Sequence, residues 1–524
     1  MLRRQFAPVA SSGGGLSILA AITLIAVWLL ADPRTADLAT AVYRSQLFAR
    51  DGLTLWDNAW FGGHHLPGYS LLSPALGALL GPRVSGALAV LGSVVLFSVL
   101  AHRHAEKHAR LASLWFAVAA AGDLFIGRLS FALGVTCGLA ALVAWSHRRP
   151  RAGYALSALT SAASPVAGLF LAMVAVGAIP RLGRREGLSM AASALTVAGL
   201  MAIVFPEGGR QPYDLAAALA ALLVCSLVAI SVDGRFASVR RTAGLYLLAI
   251  TLSYLLPTPM GSNVARFGVL FAGPVMLCTA RADRRWLLAA ISAGLVAWTL
   301  WAPASEVVKS TQSQATTSAY FRPLEQFLAR AGAGRGRVEV IPTSTRWESV
   351  YLSRRFSLAR GWETQLDYRH NRLFYRQRLD PERYRDWLHH NGVRFIALPD
   401  APLERWGTAE ASLVASRPPW LTPVWHSTHW RVFAVRDATS MISGPMRLQA
   451  LGSNGFAVRA LRPGEALLRV HFTPFWSSSG PGCVSAGADG WTVIHARGPG
   501  TIEVRASWIS GGLLRRPHCA GEVR

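Results

Sequence analysis

Long apolar runs, separated by short polar segments, fill the first 302 residues of the chain. A helix needs about 20 mostly apolar residues to cross the hydrocarbon core of a bilayer. The pattern therefore predicts a polytopic α-helical membrane domain with about eleven transmembrane helices. The predicted spans are 14–31, 82–101, 109–125, 128–145, 152–163, 165–180, 188–206, 213–231, 242–257, 265–280 and 285–302.

The pattern changes after residue 302, where apolar and polar residues mix as they do in water-soluble domains. An amphipathic helix over 317–331 precedes a strand over Arg337–Pro342. A second helix, Asp380–His390, has Pro381 just inside its start and Gly392 just past its end. From about residue 440 only short strands and Gly/Pro turns follow. We therefore predict three domains: a transmembrane domain over 1–304, an α/β module over 305–438 and a β-sandwich-like module over 439–524.

Lysine and arginine set the predicted orientation, because cytoplasmic loops are enriched in both. Arg3 and Arg4 place the N-terminus in the cytoplasm. Ser164-Pro165 interrupts the helix, so residues 152–180 cross once as a kinked helix or twice as two segments. Two crossings put every basic loop inside, and we favour them; one crossing stays an alternative. Eleven crossings of the plasma membrane make both C-terminal modules extracytoplasmic. The basic loops are His102–Arg110, His147–Arg151, Arg181–Glu186, Asp233–Arg241 and Arg281–Arg285.

Charge and cysteine content narrow the function classes. The chain has 15% charged residues and a net charge of +25. Loop arginines that orient a membrane domain account for that charge, so we predict no nucleic-acid partner. No Cys-x-x-Cys pair occurs; Cys483 and Cys519 lie in the exported tail and are a candidate disulfide. The first apolar segment is predicted to be an uncleaved helix.

Residues 31–81, the first predicted outside loop, concentrate acids, bases, aromatics and glycines. Apolar residues at helical spacing from Leu38 to Phe48 predict a helix along the membrane surface, with Asp37 at its start. A carboxylate suits a helix N-terminus, so Asp37 could be only a cap, and nearby tryptophans could be interfacial anchors. Long loops with such chemistry are more often functional than structural, which favours a site here.

A family resemblance rests on this loop, in which Asp37 is followed by Tyr43-Arg44 and then by the segment WDNAWFGGHHLPGYS over Trp56–Ser70. The pattern resembles the GT-C superfamily of membrane glycosyltransferases, which use polyprenyl-phosphate sugars. It is similar to a bacterial group labelled pyruvoyl-tetrahydropterin-synthase-related and to YfhO-like membrane proteins. The resemblance implies a GT-C-like fold with a catalytic acid at Asp37. It also implies a lipid-linked sugar donor and a glycan or lipid acceptor, as in polysaccharide biosynthesis of the cell envelope.

Two later loops carry further candidates. The resemblance assigns Asp123 as a second acid or metal ligand, so a divalent cation is a candidate cofactor, although the sequence identifies no metal. Arg128 and Arg266 could hold a lipid phosphate through charge-assisted hydrogen bonds, or could only extend toward lipid headgroups.

Sugar transfer from a lipid phosphate needs a base for the acceptor hydroxyl and cations for the departing phosphate. We predict that Asp37 is the base. The candidate substrate or phosphate ligands are Arg44, Trp56, Asp57, His64, His65, Arg128 and Arg266.

The tail offers a weaker site, and two other functions stay open. Trp362, Glu363 and Asp367 lie in a polar and aromatic segment that could bind sugar or pack as a linker. The alternatives are a polysaccharide or lipid transporter or flippase, and a non-catalytic envelope-assembly protein. Transporters usually carry ionisable residues at mid-membrane and internal repeats. Here the ionisable residues fall at the ends of the predicted spans and no repeat is visible.

Overall fold

The computed structural model describes residues 14–104, 108–280, 285–376, 378–508 and 519. The chain forms two compact units: unit 1 is Met1–Arg50 with Gly68–Gln312, and unit 2 is Asp51–Pro67 with Ser313–Arg524. Arg3 and Arg4, on which the predicted orientation partly depends, lie outside the described residues, as do 105–107 and 281–284 of two basic loops.

Unit 1 is helical, and every predicted apolar segment coincides with a helix. The helices are α1 (Gly14–Ala31), α2 (Ala36–Asp51), α3 (Ser73–Leu80), α4 (Pro82–His104), α5 (Ala109–Ile126), α6 (Leu129–Ser146), α7 (Pro150–Ala163), α8 (Pro165–Gly177), α9 (Ile179–Leu182), α10 (Arg184–Val204), α11 (Leu215–Ser231), α12 (Ala237–Leu255), α13 (Ala265–Thr279) and α14 (Arg285–Gln312).

Within the described residues, seven helices are long and apolar enough to cross a bilayer. The chain is therefore a membrane protein. Pro165–Gly177 and Leu215–Ser231 are apolar but shorter, and the total of eleven crossings stays a prediction. The seven are Gly14–Ala31, Pro82–His104, Ala109–Ile126, Leu129–Ser146, Arg184–Val204, Gly261–Thr279 and Leu288–Gln312.

The break at Ser164 produces two helices that pack on each other. Ser164 is extended, with φ −155° and ψ 114°, and its hydroxyl accepts a hydrogen bond from the Ala167 amide. A Cβ atom added to Gly168 would lie 3.0 Å from the Cα of Ser161. Residues seven apart in one continuous helix are separated by about 10 Å. Residues 152–180 therefore form a helical hairpin and not one kinked helix.

Unit 2 begins with an α/β module around a four-stranded mixed sheet. Its strands are β3 (Arg337–Val340), β4 (Val393–Pro399), β5 (Leu421–His426) and β6 (Trp430–Val435), in the order β3-β4-β6-β5 with only β3 and β4 parallel. Its helices are α15 (Ser318–Arg330), α16 (Glu348–Tyr351), α17 (Thr364–His370), α18 (Pro381–His390) and α19 (Thr408–Ala415). Buried residues from the sheet and α18, including Tyr384, Leu388, Ile396 and Phe433, form the core.

Two antiparallel sheets follow, in the orders β10-β13-β8-β7 and β11-β12-β9. Cys483 on β11 is disulfide-bonded to Cys519, with 5.6 Å between their Cα atoms. The strands are β7 (Met446–Gly452), β8 (Gly455–Ala460), β9 (Gly464–His471), β10 (Trp476–Ser479), β11 (Gly482–Ala486), β12 (Trp491–Ala496) and β13 (Gly500–Ala506).

The unit boundaries differ from the predicted domains in two ways. Helix α14 continues through residue 304, despite Pro303 inside it, so the first unit extends to Gln312. Residues 51–67 of the first loop also belong to unit 2. There they form the short hairpin β1 (Trp56–Asp57) and β2 (His64–His65). Long-range hydrogen bonds hold this segment: the Asn58 amide donates to the carbonyl oxygen of Ser453, at 2.8 Å.

Candidate functional site

Asp37 lies in the first turn of α2, with 26% of its side chain exposed. Leu38 and Leu47 of α2 are buried, whereas Val42 and Phe48, the other apolar residues behind the predicted helix, are half-buried. Just before the helix, the Thr35 hydroxyl donates a 2.9 Å hydrogen bond to the carbonyl oxygen of Ile126. This bond fixes the start of α2 against the end of α5.

A left-handed turn at Gly127, with φ 95°, ends α5. The amides of Gly127 and Arg128 both donate to the carbonyl oxygen of Asp123, at 2.9 and 2.8 Å. A Cβ atom at position 127 would collide with the backbone nitrogen of Leu38. Glycine is therefore required both by the positive φ and by the close approach of α2. The turn brings the next residue, Arg128, beside the start of α2.

Arg128 stands between two carboxylates. Its Nε lies 3.4 Å from Oδ2 of Asp37, and its Nη1 lies 3.9 Å from Oδ1 of Asp123. Both distances exceed the roughly 2.7–2.9 Å of a charge-assisted hydrogen bond. In the described part of the chain, Arg128 Nε has no hydrogen-bond partner. The guanidinium is thus balanced in charge but still able to donate hydrogen bonds to a ligand.

Tyr69 lies near the charged side chains of this region. The guanidinium carbon of Arg44 lies 4.2 Å from the centroid of the Tyr69 ring, within cation–π distance. Burial raises the pKa of the Tyr69 phenol, and the charge of Asp37 raises it further. The charges of Arg44, Arg266 and Arg128 act in the opposite direction. All four charged side chains therefore lie close enough to the phenol to affect its ionisation.

Arg266 lies at the start of α13, where its guanidinium carbon is 5.5 Å from the ring centroid of Phe131. Its Nε is buried and has no hydrogen-bond partner among the described residues. The carboxyl group of Asp123 interacts electrostatically with Arg128, Arg266 and Asp37. These residues form one group, here named the Asp37 cluster: Asp37, Arg44, Tyr69, Asp123, Arg128 and Arg266.

The composition of the Asp37 cluster suits a phosphorylated ligand. Three guanidinium groups exceed two carboxylates, so the cluster carries one net positive charge. Guanidinium groups match the geometry of phosphate oxygens, and a carboxylate can accept a proton from a hydroxyl group. Asp37 and Arg128 keep 26% and 23% of their side chains exposed, so a ligand can reach both.

No group of three or more His, Cys, Asp or Glu side chains in the described ranges is arranged to hold a metal ion. Asp37 and Asp123 are the two carboxylates of the cluster, and each already faces Arg128. A divalent cation at Asp123 stays a prediction.

Three further candidates from the first loop lie in unit 2 and not in the Asp37 cluster. Trp56, Asp57 and His64 are 2%, 0% and 0% exposed. Asp57 Oδ1 accepts a 3.0 Å hydrogen bond from the Ala59 amide, and the His64 ring stacks on Trp60 with centroids 5.5 Å apart. This packing corrects the expectation that they contact a substrate: they fill the interior of unit 2.

His65 is also part of unit 2. Its Nε2 lies 2.9 Å from the hydroxyl oxygen of Thr473, and its ring meets the edge of Trp56 at 4.8 Å. It contacts different groups from its neighbour His64, as alternation along a strand requires. The two histidines therefore do not form one site.

The three candidates of the tail also differ in burial. Asp367 is fully buried, and its carboxylate pairs with Arg360 at 3.0 and 2.7 Å. Such a group cannot contact a sugar, which corrects its predicted role. Trp362 and Glu363 are half-buried beside it, and their predicted sugar-binding role stays a prediction.

Sequence reasoning assigned no role to Tyr69, although the residue lies inside the motif that carries the resemblance. Nothing in its spacing links it to Arg44, which is 25 positions earlier. A tyrosine two residues after Pro67 in a Gly-rich loop carries no local signal for a site, so only the fold reveals its contact with Arg44.

Comparison with known proteins gives one similarity. No family model and no curated protein matches the chain. It is similar to the solved structure of the arabinofuranosyltransferase AftD from Mycobacteria, with a TM-score of 0.47 and 16% identity. The similarity covers 82% of this chain and 40% of that one, so the chain spans less than half the length of that protein. At this level of similarity the comparison gives no residue of this chain a role.

Proposed function

We propose that this protein is a membrane glycosyltransferase that moves a sugar from a polyprenyl-phosphate donor to an envelope glycan, glycolipid or protein acceptor on the outer face of the plasma membrane. The observation that carries the proposal is the Asp37 cluster, in which Asp37 and three guanidinium groups lie near one tyrosine and a second carboxylate, Asp123, faces Arg128. The GT-C resemblance of the first loop assigns the catalytic acid to the same residue, Asp37.

The distribution of charge supports the outer location. Asp123, Arg128 and Arg266 of the Asp37 cluster lie at the end of α5 and at the starts of α6 and α13. The opposite ends of these helices adjoin basic loops. Basic loops stay in the cytoplasm. The Leu71 amide donates to the carbonyl oxygen of Ala162, at 2.9 Å, so the tip of the α7–α8 hairpin lies beside the segment that carries Tyr69. This supports two crossings by residues 152–180, and hence eleven in total.

Asp37 acts as the general base in this mechanism. Its carboxylate accepts the proton of an acceptor hydroxyl as that oxygen attacks the anomeric carbon of the sugar. The bond between the anomeric carbon and the phosphate oxygen breaks, and its electron pair leaves with the polyprenyl phosphate. Asp37 then holds the proton, which passes to water or to the departing phosphate.

The arginines of the cluster stabilise the departing phosphate. Arg266 and Arg128 each present an Nε without a hydrogen-bond partner in the described chain, and both lie near Tyr69. Donors placed where negative charge develops supply a large part of the rate enhancement in such reactions. Asp123 faces Nη1 of Arg128 and helps to position it, and Arg44 adds the third positive charge.

The proposal is tested by assaying full-length protein in liposomes with a panel of polyprenyl-phosphate pentoses and hexoses. Asp37→Asn preserves size and removes the base, so kcat is expected to fall by about 10²–10⁴-fold. Arg266→Gln weakens a phosphate contact and is expected to raise KM as well. Binding of the polyprenyl monophosphate product should survive Asp37→Asn and weaken in Arg266→Gln.

Asp32→Asn is the matched control. Asp32 is another acid of the same loop, but it is half-exposed and pairs with Arg83 at 2.6 Å and with Arg34 at 3.4 Å, outside the cluster. Its variant should retain activity within a few-fold. Full turnover by Asp37→Asn would remove Asp37 from the role of base, and equal losses in both variants would show a structural effect instead.

A further inference from the structure

A second polar group lies at the other end of α6. Arg128 directly precedes α6 and His147 directly follows it. The two residues are nineteen positions apart, which is about 28 Å at 1.5 Å per residue. That length is close to the roughly 30 Å of the hydrocarbon core. Side chains from α4, α6 and α9 meet at this end, and we name them the Arg103 cluster: Arg103, His104, His147 and Arg181.

The Arg103 cluster contains cations paired with imidazoles and not with acids. Arg103 Nη1 lies 3.4 Å from both ring nitrogens of His147, and Arg181 Nη2 lies 3.2 Å from Nδ1 of His104. Arginine can only donate, so each imidazole accepts through a neutral ring nitrogen. Within the described residues neither arginine forms an ion pair. Among those residues, the two positive charges therefore have no carboxylate partner.

A large apolar cavity lies within about two helical turns of this cluster. Its volume is about 300 Å³. Protein interiors leave few voids larger than a water molecule, so an apolar void of this size is suited to an apolar occupant. Three of its lining residues, Leu100, Leu142 and Ala178, precede members of the Arg103 cluster by three to five positions, or roughly 5–8 Å along a helix. Val239, at the start of α12, also lines it, and Gly138 and Phe271 line it further in.

We propose that the Arg103 cluster and this cavity together bind one anionic phospholipid of the cytoplasmic leaflet. The lipid phosphate lies between the guanidinium groups of Arg103 and Arg181, and an acyl chain enters the cavity. Charge complementarity selects the lipid: the two arginines attract a net negative headgroup, whereas no carboxylate of the cluster receives the ammonium group of a zwitterionic one. The positive-inside rule assigns this end to the cytoplasmic face.

The experiment reconstitutes the full chain with phosphatidylglycerol and phosphatidylcholine in equal amounts and measures the lipids retained after purification by native mass spectrometry. Two variants test the charges and the cavity separately. Arg103→Gln with Arg181→Gln removes the charges. Gly138→Leu fills the cavity, since a Cβ there meets only ordinary contacts with Thr160 and Leu171. Each is expected to reduce the retained phosphatidylglycerol at least fivefold and to leave phosphatidylcholine unchanged.

The matched control is Arg149→Gln with Arg185→Gln. Both arginines are exposed at the same end of the helices but outside the Arg103 cluster. This control should retain phosphatidylglycerol at the wild-type level. An equal loss in the control would mean diffuse attraction of anionic lipid and would overturn the site. Undiminished retention by Gly138→Leu would overturn the role of the cavity.

Thermal unfolding shows whether a variant loses the lipid because its site is altered or because it misfolds. It also shows whether the site binds the whole lipid or only its phosphate headgroup. A ligand that binds the folded state raises the Tm with its concentration. Phosphatidylglycerol should raise the Tm of the wild type and the control but not of the two site variants, whose Tm without added lipid should match the wild type. Glycerol 3-phosphate should have no effect. A Tm rise with glycerol 3-phosphate equal to that with the lipid would overturn the proposal in favour of a free-phosphate site.

Discussion

Unit 1 and unit 2 each contain a cluster of acids and arginines, and the two clusters differ in how completely their hydrogen bonds are made. In unit 2, Arg360 binds Asp367 through two hydrogen bonds of 3.0 and 2.7 Å and Glu410 through one of 3.1 Å. Tyr375 and Tyr384 donate to the same two carboxylates, at 2.8 and 2.7 Å. The side chains of Arg360, Asp367 and Glu410 are at most 1% exposed. We name these five residues the Arg360 network.

The Asp37 cluster has similar residue types in an incomplete arrangement. Its two ion pairs measure 3.4 and 3.9 Å, and its Arg128 and Asp37 side chains are about a quarter exposed. A closed network of short bonds rigidifies a core, whereas a cluster with remaining donors and an approach from solvent can bind a ligand. The difference indicates that residue types alone do not distinguish a structural network from a site; the state of their hydrogen bonds does.

The largest effect is expected from a substitution that breaks the Arg360 network. Asp367→Asn removes the charge that balances a buried guanidinium. Burial alone would raise the pKa of Asp367, but Arg360 outweighs it and holds this pKa below its usual value. Loss of one partner of a buried pair costs about 3–5 kcal/mol. Thermal unfolding of the full chain should show that loss, while Asp386→Asn, an exposed acid on α18, should change the stability by less than about 0.5 kcal/mol.

The second prediction removes a charged partner from the Asp37 cluster. Arg128→Gln should lower kcat by about 10²–10³-fold, since one donor to the developing phosphate charge is lost. Its two long, partly exposed ion pairs contribute about 1 kcal/mol or less to folding, so the Tm should hardly move. Arg34→Gln is the control, because Arg34 is a half-buried arginine that pairs with Asp32 outside the Asp37 cluster. A large fall in Tm with Arg128→Gln would make this cluster structural, like the Arg360 network.

The third prediction displaces the Asp37 cluster without changing any of its members. Gly127→Ala places a Cβ against the Leu38 backbone at a positive φ, which costs roughly 1–3 kcal/mol. Because α2 must shift, activity should fall by at least tenfold. Gly199→Ala, in a helix with open space around the glycine, should be neutral or slightly stabilising. Normal activity in Gly127→Ala would show that the approach of α2 does not set the position of Asp37.

Local patterns predict the elements of this fold well. The apolar runs coincide with helices, the Ser164-Pro165 break separates two of them, and Pro381 and Gly392 bound α18 as predicted. These features depend on residues near one another in sequence. The helix that carries Asp37 is of the same kind, because the local sequence from Leu38 to Phe48 predicts it.

Features that depend on distant contacts are not predictable in this way. Residues 51–67 look like one loop with Asp37, yet they belong to unit 2 because Asn58 and Gly62 hydrogen-bond to residues about 400 positions later, Ser453 and His471. Asp367 resembles a surface acid until Arg360 and the tyrosines enclose it. Tyr69 joins the Asp37 cluster through Arg44, and no periodicity connects the two residues.

The smallest expected effect concerns Glu339, a buried acid on β3 next to the Arg360 network. It is 0% exposed, and neither carboxylate oxygen has a hydrogen-bond partner among the described residues. Burial and the charge of Glu410 raise its pKa well above the usual value, although Arg360 lowers it. The folded protein therefore binds a proton here that the unfolded chain releases. This contribution to stability is complete below about pH 4.5 and is lost as the pH rises through the folded pKa.

Glu339→Gln removes this dependence, because the amide is neutral at every pH and nearly the same size. The variant should match the wild type near pH 4 and exceed it by about 1 kcal/mol at pH 7, since the wild type must then take up a proton on folding or bury a charge, and the amide does neither. Thermal unfolding of the full chain at both pH values measures the difference. Glu382→Gln, an exposed acid at the start of α18, should leave the pH dependence unchanged. A variant that is less stable than the wild type at pH 7 would show that Glu339 is a charged member of the Arg360 network, whose ion pairs then extend to β3.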